Sequence, residues 1–334
     1  MIAAQAKQIG NLIDKSDKIL IVQADNPDAD SLGSALAISE ILTAHNKDCY
    51  LYCAIDVPSY LKYMQSWSLV EDRLPQNFDL AIIVDTATDT LLEKIKDDQN
   101  YAQYLGAKKI VLDHHQTTDS SINSDVTVID PSSSSTAELV YTIFSQLNWD
   151  QPLAAKEYLM SGILGDTQGL SNNLAAPKTY RIIADFIEQG VNREEVENRR
   201  RKFNQYTTDI FEYKGKLIDK TQLHLGNKLA IVAITHDEIM SYSAAYNPSA
   251  LIMPDLLQIE NLAVACVVKT YNDGKITGTI RTNSGYPMAA KIAEKFGGGG
   301  HDYASGFKVL RGEDEHSITK SIIDITNQLI TGGQ

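Results

Sequence analysis

Apolar positions in the first half of the chain come in two alternating rhythms. KILIVQA (18–24), CYLYCAI (49–55), LAIIVDT (80–86) and KIVLDHH (109–115) are short, nearly unbroken apolar runs rich in Ile and Val. Between and after them, SLGSALAISEILTAH (31–45) and TAELVYTIFSQL (136–147) space Leu, Ala and Ile at helical intervals. Unbroken apolar strands alternating with helices predict an α/β unit, a mostly parallel sheet flanked by helices. Residues 153–165 and 178–189 predict two more helices, and Gly190 suits the left-handed position that closes the second.

The texture changes after residue 190. Residues 192–219 are highly charged with sparse apolar positions and predict a helix followed by a linker helix. Beyond 220, QLHLGNKLAIVAI, LAVACVVKTYND and KITGTIRTN predict strands, with Asn-Asp-Gly as a hairpin turn. AAKIAEKF (289–296) predicts a helix, FKVL a last strand and HSITKSIIDITNQLI a final helix. A smaller C-terminal α/β domain with a mixed sheet follows. The expected boundaries are 1–196 for the first domain, 197–218 for the linker helix and 219–334 for the second domain.

Composition adds limits. The 334 residues, 43% hydrophobic and 22% charged, suit two folded domains and exclude disorder or coiled coil. Acidic residues outnumber basic ones by 43 to 30, a net charge of −13. That sign repels long nucleic acid and anionic membranes. It still admits a short nucleotide in a pocket where a divalent cation reverses the local sign. There is no run of 18 apolar residues and no apolar signal core at the N-terminus, so the expectation is a soluble cytoplasmic protein. Cys49, Cys53 and Cys266 sit in apolar runs and are expected to pack rather than pair.

Four polar segments interrupt this pattern where elements end. They are NPDADSLGS (26–34), VDT (84–86), DHH (113–115) and GDT (165–167). Carboxylates gathered from such places repel one another unless cations sit among them. Oxygen and imidazole donors suit Mn²⁺, Mg²⁺ or Co²⁺ better than a soft site would. Two such ions about 3.5–4 Å apart can clamp the attacking and leaving oxygens of phosphoryl transfer. Asp85, on an inner strand, is the expected bridge, and Asp28 and Asp30 in one turn can reach different ions. Singly, each D-x-D or DT is as readily a helix cap. Adjacent histidines after a buried strand and an Asp are more unusual.

In this order, PDADSLGS, VDT, LDHH and GDT resemble the four motifs of the DHH phosphoesterase superfamily. GGGGHDYASGF resembles the glycine-rich signature of its DHHA1 domain, so the likeness spans roughly residues 10–330. The nearest subfamily is NrnA-like: oligoribonucleases that shorten very short RNA and dephosphorylate 3′-phosphoadenosine 5′-phosphate (pAp). The resemblance implies Asp28, Asp30, Asp85, His114 and Asp166 as ligands of two divalent metal ions, Mn²⁺ first among them. It implies His115 facing the substrate phosphate, and Asp113 orienting the histidine pair. The attacking group would be a water or hydroxide shared by the ions.

One position departs from the family pattern. The first motif normally carries a His three residues before its Pro, and here that residue is Ala24. Gln23, Asp25 or water are the candidate replacements. A weakened two-metal site, a site tuned to another metal and a catalytically poor nucleotide-binding protein all stay open.

Gly297–Gly300 could be a linker, but consecutive glycines also let backbone N–H groups approach a phosphate. The resemblance implies that Gly298, Gly299, Gly300 and His301 contact the nucleotide, that Arg281 binds a substrate phosphate and that Thr282 assists. It also implies a cleft between the domains for short RNA or DNA oligonucleotides or pAp, and allows a homodimer. Tyr303 is the tyrosine best placed to stack on a base. The cluster Arg199, Arg200, Arg201 and Lys202 reads more simply as a solvated helix face than as a phosphate contact. Hydrolysis of linear or cyclic dinucleotide signals is the alternative within the same chemistry.

Overall fold

A computed structural model describes residues 2–115, 120–243, 246–310, 312 and 314–332, with backbone alone at His301. The chain forms two compact units, residues 1–205 and 206–334. The expected linker, 197–218, falls on two separate helices, one in each unit.

The first unit begins with α1 (Ile2–Asp14), β1 (Lys18–Val22), α2 (Ala29–Ala44), β2 (Asp48–Tyr52), β3 (Val70–Glu71) and β4 (Leu80–Val84). It continues through α3 (Tyr101–Gly106), β5 (Lys108–Asp113), β6 (Val126–Ile129), α4 (Thr136–Gln146) and α5 (Leu153–Asp166), and closes with α6 (Pro177–Glu188) and α7 (Arg193–Phe203). The six strands form one sheet in the order β3-β2-β1-β4-β5-β6. Every pairing is parallel. Because parallel strands are covered on both faces, they read as unbroken apolar runs. On one face, Ile19, Ile21, Ile82 and Leu112 pack with α1, α2, α4, α5 and α6. On the other, Leu20, Val22, Ile83 and Val111 pack with Phe78, Leu92, Ile95 and Tyr104. Strand order reverses between β1 and β4, where α/β sheets place their ligand crevice, at the carboxyl ends of the strands. A short edge strand, β6, and the two-residue β3 were not expected from the sequence.

Close helix contact sharpens that end of the sheet. A side chain on Gly33 of α2 would stand 2.6 Å from the Tyr158 carbonyl oxygen of α5. One on Gly162 of α5 would stand 2.7 Å from Ala137 Cβ and 2.9 Å from Asp30 Oδ1. Gly162 thus makes the space that the Asp30 carboxylate occupies. Gly190 follows α6 with φ +104°, the left-handed conformation the sequence suggested.

The second unit contains α8 (Thr208–Asp219), β7 (Gln222–His224), β8 (Leu229–Ile234), α9 (His236–Tyr242), α10 (Pro248–Leu256), β9 (Val264–Thr270) and β10 (Ile276–Thr282). It ends with α11 (Ala289–Glu294), β11 (Gly299–His301), β12 (Ala304–Val309) and α12 (Glu315–Thr331). Its sheet runs β11-β12-β10-β9-β8-β7 and is mixed, since only β8 and β9 pair in parallel. Cys53 and Cys266 are buried thiols and Cys49 is partly buried, none of them in a disulfide.

Candidate metal centre

The carboxyl ends of β1, β4 and β5 and the end of α5 deliver their acidic residues to one place. Asp28 caps α2, its Oδ1 accepting from the amides of Asp30 and Ser31 at 3.0 Å each. Asp30, in the first turn of the helix, is fully buried. Its carboxylate accepts from the amide N–H of Thr136 at 2.6 Å and of Ala137 at 2.9 Å, the unpaired donors of the α4 N-terminus. Asp85 follows β4 with φ +62°, a conformation uncommon for a residue bearing a side chain. Its Oδ1 accepts from the Thr136 hydroxyl at 3.0 Å.

His114 sits at the centre. Its Nε2 lies 2.9 Å from Asp166 Oδ2 and 3.8 Å from both Asp30 Oδ2 and Asp85 Oδ1. That nitrogen is buried and has no aligned hydrogen-bond partner among the described residues. His115, tilted at 48° beside it, has its Nδ1 2.8 Å from Asp113 Oδ1 and 3.8 Å from Asp85 Oδ1. Asp113 also accepts the His115 amide N–H at 3.2 Å. The sequence suggested that Asp113 orients both histidines; its hydrogen bonds go to His115.

Burial and crowding of like charge set the electrostatics. Burial first, then the charge of Asp166, pushes Asp30 up to about 7. Asp85 is driven well above the usual carboxylate range by burial and by Asp30, Asp28 and Asp166. Asp28 is raised by burial, with the Ser31 amide opposing. Burial opposes the charged form of His114, but Asp166 and Asp30 outweigh it and raise the ring to about 9. The Asp113 hydrogen bond raises His115. Burial alone would raise Asp113; its contacts with His115 reverse this and hold it below its usual value.

Such a site is poorly balanced by protons alone and well balanced by cations. Two sets of donors lie within 4.8 Å: Asp85, His114 and His115, and Asp30, His114 and Asp166. All are oxygen or imidazole donors, and the orphaned His114 Nε2 points the same way, so the residues present fit hard or borderline divalent ions. Ala24 is buried, and its carbonyl accepts from Cys53 Sγ at 3.4 Å. Of the replacements offered by sequence, Asp25 is committed elsewhere, accepting the Lys94 amide N–H at 3.0 Å. Gln23 is 1% exposed, and both polar atoms of its amide lack partners among the described residues.

Thr136 was not anticipated. The serine run before it reads as a loop, and its role depends on a backbone N–H that no side-chain motif announces. Ser135-x-x-Glu138 does match a helix-start signature, and Ser135 caps α4 by accepting from the Glu138 amide.

In the second unit, Arg281 on β10 donates to its neighbour's carbonyl, that of Ile280, and forms no ion pair among the described residues. Thr282 is buried and its hydroxyl donates to the Asp302 carbonyl at 3.4 Å. The glycines have a packing requirement of their own. A Cβ on Gly298 would meet the Gly306 carbonyl oxygen at 2.2 Å, and one on Gly300, at φ +140°, would meet that of Ala304 at 2.6 Å. Gly299 has open space around it. The His301 side chain lies outside the described residues. Tyr303 is exposed.

Residues 18–164 match the model of the DHH family, N-terminal domain, and residues 226–328 match the DHHA1 domain. The chain is 26% identical over 308 residues to the bifunctional oligoribonuclease and PAP phosphatase NrnA of Bacillus subtilis, covering 90% of this chain and 92% of that protein. It is 24% identical over 316 residues to NrnA of Thermus thermophilus, covering 94% and 90%. Among solved structures, an exopolyphosphatase-related protein from Bacteroides fragilis superimposes with a TM-score of 0.86 at 20% identity, covering 99% of this chain and 98% of that one. That last likeness speaks for the fold.

Proposed function

Because this chain belongs to the DHH family, with a DHHA1 domain behind the first, we propose that it is a metal-dependent phosphoesterase of short oligoribonucleotides and pAp. The observation that carries the reading is His114 Nε2 within 3.8 Å of carboxylates from three separate stretches of chain. The named activities of the Bacillus subtilis and Thermus thermophilus relatives support the choice of substrate.

Asp30, Asp85, His114 and Asp166 would hold one ion, and Asp85 with Asp28 a second. The ions, when bound, would supply Lewis acidity toward a phosphoryl oxygen and toward water. The protein's own part is positioning and charge. Amides at the α4 N-terminus fix the Asp30 carboxylate, and the Thr136 hydroxyl fixes that of Asp85. Asp113 accepts from Nδ1 of His115 and favours the protonated ring, whose Nε2–H could then donate to a substrate phosphate oxygen. The His115 side chain is 56% exposed, so a ligand can reach it from solvent. We assign nucleotide contact in the second unit to Arg281, Thr282, Gly298, Gly299, Gly300 and His301.

The test is turnover by metal-stripped protein resupplied with Mn²⁺, on RNAs of two to five nucleotides, on pAp and on cyclic dinucleotides. Metal-dependent release of mononucleotide or phosphate is expected. Nucleotide binding without turnover would replace the reading with a sensor, and turnover of cyclic dinucleotides alone would replace the substrate. The second ion site lacks a ligand at Ala24, so Ala24→His should tighten the weaker of two Mn²⁺ binding events about tenfold. Unchanged calorimetric affinity would mean that another group already serves there.

A further inference from the structure

Beside the metal centre, within the first unit, lies a pocket of about 650 Å³. Pockets of about 300–1,000 Å³ are the usual size for small-ligand sites. The lining includes Asp28 and Asp166 of the metal centre together with Tyr60, Arg193, Arg200 and Arg201. This basic lining belongs to a protein of net charge −13.

Helix α7 is built to present it. Arg193, Glu197, Arg200 and Asn204 follow the spacing of one helical face and all line the pocket. Val196, 3% exposed, anchors that face. The basic run in the sequence therefore divides. Arg199 turns away to Glu157 on α5 and Glu195, and Lys202 lies outside the pocket, whereas Arg200 and Arg201 line it.

The three guanidinium groups differ in how far they are committed. Arg200 makes a forked contact with Glu197, Nε to Oε2 and Nη2 to Oε1, each at 2.8 Å. Arg201 gives Glu197 its Nε alone, at 3.2 Å. Arg193 has no ion pair or side-chain hydrogen bond among the described residues. The same lining includes Tyr60, 44% exposed, with its hydroxyl donating to the Pro27 carbonyl at 3.4 Å. A free guanidinium and a half-exposed aromatic ring lining one pocket are the chemistry of one nucleotide, a phosphate plus a base.

We propose that this pocket is a nucleotide subsite, in which Arg193, backed by Arg200 and Arg201, holds the phosphate of the residue adjoining the one at the metal centre, and Tyr60 stacks on its base. The inference rests on the phosphoesterase reading and narrows it: the favoured substrate has at least two nucleotides, and pAp leaves the subsite empty.

Steady-state kinetics on a 5′-phosphorylated trinucleotide RNA and on pAp test this with Arg193→Ala, Arg200→Ala and Tyr60→Leu, and with Lys202→Ala as a same-helix control. The three pocket variants should raise KM for the trinucleotide about tenfold at little change in kcat, with pAp constants within about twofold. Arg193→Ala should also lower the salt dependence of trinucleotide KM by about 0.7 in log–log slope, one phosphate contact. Equal losses on both substrates, no loss on either, or the same loss in Lys202→Ala would overturn the subsite. If the wild type hydrolyses neither substrate, the phosphoesterase reading fails instead. Anisotropy of a labelled trinucleotide against the same variants then still decides the pocket: a selective loss upholds it and equal affinities remove it.

Discussion

Two groups of buried carboxylates meet at the start of α4, and they are handled in opposite ways. Glu138 is 1% exposed, like Asp30 and Asp85 among the least accessible acids in the chain. It accepts from the hydroxyls of Ser134 and Thr179 at 2.7 Å each and sits 3.2 Å from Lys178 Nζ. Its charge is fully answered by the protein. Two residues earlier, Thr136 serves Asp30 and Asp85, whose remaining neighbours are Asp28, Asp166 and a shared histidine. The first group has everything a buried acid needs to be structural. The second has too few protein cations for its charge, which is the signature of a site that waits for one from outside.

The comparison breaks most visibly at Asp85. Asp85→Asn keeps the shape and an acceptor for Thr136 but removes a repelled charge. Activity should fall about a thousandfold or more, as for loss of a group acting within a catalytic unit. The metal-free protein should nevertheless melt higher, by roughly 2–4 °C if about 1 kcal/mol of repulsion is relieved. Calorimetry of the stripped protein checks this, and a lower melting temperature would mean that Asp85 is structural after all.

Glu138→Ala should do the reverse. Two buried hydroxyls and an ammonium lose their partner, a cost of about 2–4 kcal/mol. Melting should drop by several degrees while the folded fraction still binds its ions at unchanged stoichiometry. Unchanged melting with lost metal would put Glu138 in the centre itself.

A pH series separates the two regions without mutation. Asp30, at about 7 in the folded chain, binds its proton more tightly than an unfolded aspartate with the usual 3.8. Its effect on stability therefore turns unfavourable as pH rises from about 4 to 7. His114, raised from 6.5 to about 9, stabilises below 6.5 and loses that contribution as pH climbs through 9. Both signs agree: the metal-free protein should lose stability between pH 5 and pH 9, by about 1–3 kcal/mol in thermal melts. Saturating Mn²⁺ should flatten or invert the slope, because the same groups then bind the ion in competition with protons. A rising slope without metal would contradict the crowded-charge picture.

How much of this was legible follows from where each feature takes its physics. β1, β2, β4 and β5 are buried on both faces, so their unbroken apolar runs stood out. Edge strand β6, with alternating burial, and α10, with Pro254 inside it, carry no such signature and went unread. The acidic motifs were readable because each follows an apolar element abruptly. Thr136 and Glu138 were not, since Thr136 acts through its amide and hydroxyl on two distant carboxylates and Glu138 through hydroxyls, contacts brought together only by the fold. Arg200 and Arg201 looked like a solvated face, and their contacts with Glu197 are of that kind. What the one-dimensional pattern hid is the pocket that this face also lines.

The smallest effect belongs to Thr136, and it is the most discriminating because that residue touches the needy group and adjoins the satisfied one. Its hydroxyl favours the charged form of Asp85, and its amide holds Asp30. Thr136→Val keeps the amide, the β-branch and the packing, and removes only the hydroxyl. Asp85 should then take a proton more readily and yield it to a metal less readily, weakening Mn²⁺ binding about tenfold, the lower end for lost orienting partners. Stability should move by no more than about 1 kcal/mol, because the lost bond and the relieved charge offset each other. Thr136→Ser restores the donor and should restore the affinity. If Val and Ser bind Mn²⁺ equally, the hydroxyl does not tune Asp85, and the contrast between the two groups rests on Glu138 and its partners alone.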